Sequence, residues 1–325
     1  MGSKWGPVAK GAYLFFRNRA LGRPRFANIE VTWLCNARCG TCDSWKHPPE
    51  TELKDYSPVI QKIDPLGVSL CGGEPTVRRD LPDVVRKLRD NCNLMFITLM
   101  THGGQLTAEK AKVLKEAGVT NISFSLDFIG EKHDQQRGIK NLYAHLSEII
   151  PQVVKLGFRG IQTHTIISDW NLDHLIPIAE QAKKWGIQAS FTTYNSLKVG
   201  PKDFWVPPEH NQELQRRIQE LIEYKKRNRH VNNSEWYFSQ IPGFFRGERV
   251  PNCKAGQSWI HILPDGHIKP CSETAIACHW TEYQREKVTA NGCTACWMKS
   301  RESQAPLTPR RAWEYVYMFV GHTWK

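Results

Sequence analysis

No apolar run in this chain approaches the roughly 20 residues of a membrane span. The N-terminus is basic, but its apolar stretches are short and broken, so no secretory signal is expected. No repeat of constant length and no low-complexity tract appears, which excludes a repeat array. Acidic residues are missing from positions 1–25, where Lys4, Lys10, Arg17, Arg19, Arg23 and Arg25 supply half of a formal net charge of +12. That imbalance favours anionic partners: phosphorylated substrates, acidic lipid headgroups or nucleic acid. The bland alternative is a solvated basic surface that only aids solubility. Nucleic acid is disfavoured, because the aromatic and basic stretch 196–250 holds no RNP-like strand motif or other module.

At 325 residues and 40% hydrophobic content the chain can bury a sizeable core. Its ten cysteines are few for a disulfide framework of this length and read as metal ligands in a reducing compartment. The expected location is cytoplasmic, with peripheral contact at a membrane surface left open by the basic N-terminus. A short helix over 7–22, with Ala9, Tyr13, Phe16 and Ala20 on one face, suits either an interfacial membrane helix or the cap of a barrel end.

From 26 to 195 strand-like and helix-like runs alternate, the sign of a parallel sheet with helical crossovers. Strands are expected at 27–34, 67–71, 94–100, 121–126, 161–167 and 188–194. Helices are expected at 55–63, 81–90, 107–117, 141–156 and 172–185. Thr107 suits an N-cap, and Gly118, Gly157 and Gly186 suit helix ends. Residues 196–250 form a bridge with a polar helix at 209–228. Pro264-Asp265-Gly266 predicts a turn between β-type runs 259–263 and 267–269.

Two clusters of residues carry chemistry. Cys35, Cys39 and Cys42 stand at C-x3-C-x2-C spacing directly after the first strand. Three thiolates can hold three corners of an iron–sulfur cubane and leave the fourth iron open; zinc or accident are the alternatives. Gly72-Gly73-Glu74-Pro75 closes the second strand. Cys253, Cys271, Cys293 and Cys296 form a second set, in which a hairpin would bring the first two together; four thiolates close off a cluster or a zinc ion equally well.

The three-cysteine loop followed by Gly72-Gly73-Glu74 resembles the radical S-adenosylmethionine (SAM) superfamily. The resemblance implies an α/β fold, a partial (β/α)6 TIM barrel, with a small C-terminal β-hairpin-containing auxiliary-cluster domain of the Twitch or SPASM kind. It divides the chain into a basic extension at 1–25, a core at 26–195, the bridge at 196–250, the auxiliary domain at 251–300 and an aromatic tail at 301–325. It assigns Cys35, Cys39 and Cys42 to a SAM-binding 4Fe–4S cluster. Gly72, Gly73 and Glu74 would take the SAM amino group, Ser125 and Asp127 its ribose or methionine part, and Arg137 its carboxylate; the alternative for Arg137 is an ion pair with Asp134. Cys253, Cys271, Cys293 and Cys296 would hold a second 4Fe–4S cluster. Thr41 departs from the family, which usually has an aromatic residue there. His102 and His164, near the expected barrel mouth, and Cys71 receive no role; Cys278 is left as ligand, hydrogen donor or buried thiol.

The implied activity is reductive cleavage of SAM to a 5′-deoxyadenosyl radical, then hydrogen abstraction from a small, phosphorylated or lipid-linked molecule that is oxidised or remodelled. An electron donor such as flavodoxin or ferredoxin is the implied partner. Epimerisation and peptide modification are the catalytic alternatives. A non-catalytic iron–sulfur or zinc-stabilised binding protein is the alternative of another class.

Overall fold

The computed structural model describes residues 5–48, 51–197, 202–289, 292–304 and 308. The aromatic tail Trp313–Val320 lies outside them. Six strands, β1 (Phe26–Thr32), β2 (Gly67–Gly72), β3 (Phe96–Thr101), β4 (Asn121–Ser125), β5 (Gly160–Ile167) and β6 (Gln188–Thr193), pair in parallel and in sequence order. All six coincide with the strands expected from the sequence, to within about two residues at each end. The helices between them are α2 (Ser57–Ile63), α3 (Leu81–Asn91), α4 (Ala108–Ala117), α5 (Glu131–Arg137), α6 (Leu142–Lys155) and α7 (Leu175–Lys184), with α1 (Trp5–Ala20) before the first strand. Of these, α5 was not foreseen.

Parallel register places directly paired residues on the same face of the sheet. One face carries Ala27, Ile29, Val68, Leu70, Ile97, Leu99, Ile122, Phe124 and Ile161, packed with Val84, Leu88, Leu114, Ile150 and Ile178 of the helices into one core. The other carries Asn28, Ser69, Cys71, Thr98, Ser123, Ser125, Gln162, His164 and Ser190. Most of these polar residues keep solvent-accessible surface while their apolar neighbours along each strand are fully buried. A sheet covered by helices on one face and lined by water-accessible polar groups on the other is a barrel wall with an inner side.

The C-terminal strands extend this wall. After α8 (Asn211–Arg227), α9 (Glu235–Ser239) and α10 (Ile241–Phe245), strand β7 (Trp259–Ile262) pairs in parallel with β1, followed by antiparallel β8 (His267–Lys269) and β9 (Cys278–His279). The sheet therefore has nine strands in the order β6-β5-β4-β3-β2-β1-β7-β8-β9. The expected hairpin turns at Gly266, whose φ of +95° suits glycine.

Helix α1 packs Leu14 and Phe15 against Leu66 and Met95, which precede β2 and β3, so it covers the N-terminal end of the strands. Its buried Asn18 donates to the Asp64 carbonyl at 2.9 Å. The face read as apolar in the sequence is the opposite one: Tyr13 and Phe16 are 65% and 45% exposed. The docked face sets Gly11 and Asn18 beside Leu14 and Phe15, and a hydrophobic wheel undervalues the first two. No helix among the described residues is long and apolar enough to cross a membrane.

Candidate active site at the barrel mouth

The loop after β1 carries Cys35, Cys39 and Cys42, and two contacts hold it in place. At its start, the turn after β2 approaches so closely that a side chain is excluded. A Cβ on Gly72 would lie 2.2 Å from the Thr32 carbonyl oxygen, and one on Gly73 2.2 Å from that of Leu34. The Gly73 and Glu74 amides donate to these carbonyls at 2.8 Å. In the middle of the loop, the Arg38 amide donates to the carbonyl of Arg137, the last residue of α5, at 2.8 Å. Gly138 ends α5 at a φ of +62°, with Arg38 against it.

Arg137 connects the cysteine loop to the sheet. Its Nη1 lies 3.6 Å from Cys39 Sγ, and its Nη2 donates to Asp127 Oδ2. Burial opposes its charge, but Asp127 and Cys39 more than offset that, so its pKa stands above the ordinary arginine value. Asp127, 3% exposed, also accepts from the Ile166 amide at 2.8 Å. Its carboxylate thus holds Arg137 and the β5 backbone in place. The alternative partner, Asp134, instead accepts from the Tyr143 amide. Arg137 Nε is buried with no partner among the described residues, an N–H left for an acceptor from elsewhere.

Glu74 is engaged in the same way. Its carboxylate accepts from Thr101 Oγ1 at 2.6 Å, Thr76 Oγ1 at 2.7 Å and the His102 amide at 2.8 Å. His102 Nε2 lies 3.3 Å from it and 2.9 Å from Asn36 Oδ1 in the cysteine loop. Burial pushes the His102 pKa down, partly countered by Glu74, so the ring is neutral. Because Nδ1 accepts from the Gly104 amide, the proton is assigned to Nε2, which donates to Asn36. His102, given no role from the sequence, is the bridge between Glu74 and the cysteine loop. Only its position at the end of β3 could have signalled this.

Cys253, Cys271, Cys293 and Cys296 converge as well. Cys253 interacts electrostatically with Cys293 and Cys296, and Cys271 with Cys253 and Cys296. The Cys253 amide donates to the Cys293 carbonyl at 2.8 Å. Arg301, fully buried, reaches the carbonyls of Pro251 and Cys293, and its Nη2 lies 4.0 Å from Cys296 Sγ. Its Nε too is buried without a partner among the described residues. Cys278, in β9, has Glu282, Lys287 and Lys62 as electrostatic neighbours instead of these thiols.

The two sets share a local device. The amide two residues on donates to the sulfur of Cys35 and Cys253 at 3.4 Å, and likewise to Cys42, Cys271 and Cys296. Burial raises the Cys35 and Cys271 thiols to about 11. Anionic sulfur would be costly there without compensating positive charge, which the amides offer in part and a bound iron cluster would complete. Among the described residues no three His, Cys, Asp or Glu side chains close around a single metal ion. All-thiol donor sets, amides on the sulfurs and a buried arginine with an orphaned N–H fit a thiolate-bound cluster at both places, and at the first they also fit SAM.

The inner wall continues from this mouth. One register row carries Ser125, His164 and Ser190 side by side on β4, β5 and β6. On β1 and β7 the inner face carries Glu30, whose Oε1 lies 2.9 Å from His261 Nε2 and whose Oε2 accepts from Trp33 Nε1 at 2.6 Å.

A parallel α/β barrel wall with thiols, glycine turn and arginine at the C-terminal ends of its strands defines a cofactor-dependent enzyme class whose site sits at that end. A model of the Radical SAM superfamily matches residues 29–182 of this chain. GTP 3′,8-cyclase of Aquifex aeolicus is 28% identical over 199 residues, 57% of this chain and 61% of that protein. Mycofactocin maturase MftC of Mycolicibacterium smegmatis is 25% identical over 262 residues, 78% of this chain and 65% of that protein. The chain spans about three-fifths of the length of the curated relatives it first matches. In fold it is similar to SuiB of Streptococcus suis bound to S-adenosylmethionine (TM-score 0.64, 15% identity, 86% of this chain and 68% of that one). It is also similar to anSMEcpe with bound AdoMet (TM-score 0.61, 13% identity, 82% of this chain and 80% of that one).

Proposed function

We propose that this protein is a SAM-cleaving radical enzyme acting on a small, anionic substrate, which it oxidises or remodels. The observation that carries this reading is the Cys39–Arg137–Asp127 arrangement, with the orphaned Arg137 Nε beside the three-thiol loop. Cys35, Cys39 and Cys42 would hold a 4Fe–4S cluster, which when reduced supplies the electron that splits SAM and so generates the radical that abstracts substrate hydrogen. Arg137, held by Asp127, would bind and orient the SAM carboxylate, and the backbone at Gly72 and Gly73 its amino end. Glu74 and His102 act through the loop: they fix Asn36 and thereby the sulfurs around it. Cys253, Cys271, Cys293 and Cys296 would hold a second cluster, supplying a one-electron acceptor or relay. A flavodoxin- or ferredoxin-type reductant is the matching partner.

An anionic substrate is supported by the net charge of +12 and by relatives named for a reaction of GTP. Peptide modification is the second reading, favoured by the relative named mycofactocin maturase, whose similarity extends over most of this chain. The test is anaerobic reconstitution followed by iron and sulfide counting, then dithionite and SAM. About eight irons per chain and release of 5′-deoxyadenosine are expected. About four irons plus zinc would remove the second cluster and keep the enzyme. Colourless protein without deoxyadenosine would sink the reading.

A further inference from the structure

The segment after Cys296 does more than close the second thiol set. Trp297 is fully buried, with its carbonyl accepting from Thr193 Oγ1 at 2.6 Å and from Tyr237 Oη at 2.8 Å. The Lys299 amide donates to Thr192 Oγ1 at 3.0 Å. These bonds lay the segment along β6 and send the Lys299 side chain onto the inner face of the wall. There its Nζ donates to Ser190 Oγ at 2.6 Å and to Asn232 Oδ1.

A hydrogen-bonded chain runs from this amine across the wall. Asn232 donates to Gln162 Oε1 at 2.6 Å, and Gln162 donates to Ser123 Oγ at 3.1 Å. On the other side, Ser190 Oγ lies 3.4 Å from His164 Nδ1. Lys299 and His164 are enclosed by the fold, yet both keep solvent-accessible surface, as groups facing an internal space do. Burial, together with Lys299 and Arg137, pushes His164 down to about 3, so that ring is neutral. Glu302 is the carboxylate that acts on Lys299, and it is itself held by the Ser234 amide. Among the described residues both hydrogen bonds of the amine go to neutral oxygens, and an ammonium has three donors.

An ammonium kept in such a place without a bonded carboxylate costs desolvation energy that a bound anion would offset. We infer that Lys299 anchors an anionic group of the substrate, a phosphate or a carboxylate, on the inner wall. The site lies two strands from Ser125 in the same row, on the order of 10 Å at about 4.8 Å per strand. A substrate would then reach from the SAM end of the wall to its anchored charge over that distance. This rests on the proposed radical chemistry only in placing substrate inside the barrel.

The probe is pyridoxal 5′-phosphate, an aldehyde that carries a phosphate, applied to the full chain reconstituted with iron, sulfide and SAM. Borohydride traps the imine and peptide mass mapping reads the site. Burial lowers the Lys299 amine to about 8. At neutral pH it should react on the order of a hundredfold faster than an equally accessible lysine of pKa near 10.4. Pyrophosphate is added in one arm and succinate in another. Protection of Lys299 in either arm supports the site, and the arm that protects identifies the anion. Lys299 left unlabelled while exposed lysines react, or labelled equally in all arms, overturns it. Calorimetric binding of the protecting anion should weaken tenfold or more in Lys299→Met; should that variant fail to fold, the wild-type labelling decides. Deoxyadenosine release is counted on the same preparation. Its absence with Lys299 protected removes the radical chemistry and leaves the anion site, and the reverse pattern removes the anion site alone.

Discussion

Two arginines do the same job at the two thiol sets. Arg137 and Arg301 each lie against one cysteine sulfur, each fasten backbone that positions the others, and each keep a buried Nε without a partner among the described residues. They differ in their counter-ion, since Asp127 pairs with Arg137. Removing Arg137 would leave Asp127 buried without its cation, which costs about 3 to 5 kcal/mol. Arg137→Ala should therefore lower stability by that order in denaturant unfolding and weaken SAM binding tenfold or more. Arg137→Lys should recover part of the stability but less of the binding, because an ammonium cannot reach Asp127, Cys39 and a carboxylate at once. Unchanged SAM affinity in Arg137→Ala would show that Arg137 serves only the fold. The cysteines and the glycine turn stood out by residue type and spacing, whereas Arg137 was singled out only through the family resemblance. His102, Asn36, Arg301 and Lys299 were not legible, because an isolated polar residue looks the same in a sequence whether it faces solvent or a sulfur.

At the scale of elements, alternating periodicity located every parallel strand, and glycines marked the helix ends. Helix α5 escaped because its seven residues contain only one buried side chain, His133, and no apolar repeat. Yet it is the helix that carries Arg137. Similarly, α1 was read on its outward face, since Asn18 is as buried as Phe15 but scores as polar. The turn leading into α3 is fixed by another buried cation. Arg78 donates to the Val31 carbonyl at 2.6 Å, the Leu53 carbonyl at 2.7 Å and Asp80 Oδ1 at 2.8 Å. The hydrogen bond and charge of Arg78 hold Asp80 at about 2, below its ordinary 3.8. A carboxyl with a depressed folded-state pKa contributes stability above its ordinary pKa and loses it as pH falls through the folded value. Stability should accordingly drop between about pH 4 and pH 2, and Asp80→Asn should flatten that part of the profile. Identical profiles for the two proteins would mean that the pair contributes nothing to stability.

For the molecule as a whole, the decisive feature is that β7 pairs with β1 on the side opposite β2. The C-terminal thiol set is therefore built on the same sheet as the barrel, and Trp297 and Lys299 bind it back to β6 at the other end. Heating should give a single calorimetric transition. Stripping metal from the protein with a chelator should lower that transition instead of splitting off a second one, because metal bound to the native state stabilises whatever unfolds with it. Two well-separated transitions would show that β7–β9 fold independently.

What the sequence determined by itself were the local and covalent quantities: strand and helix order, the spacing of thiols within one loop, and the turns that only glycine allows. These depend on neighbours a few residues apart, and periodicity records them. Tertiary structure alone decided which separated groups meet: Asp127 with Arg137, Glu74 with His102, Arg301 with Pro251, and Lys299 on the inner wall beside Ser190. Those pairings come from sheet register and from chain crossing back over the barrel. They combine positions up to 109 residues apart, as for Lys299 and Ser190, and leave no periodic trace in the sequence.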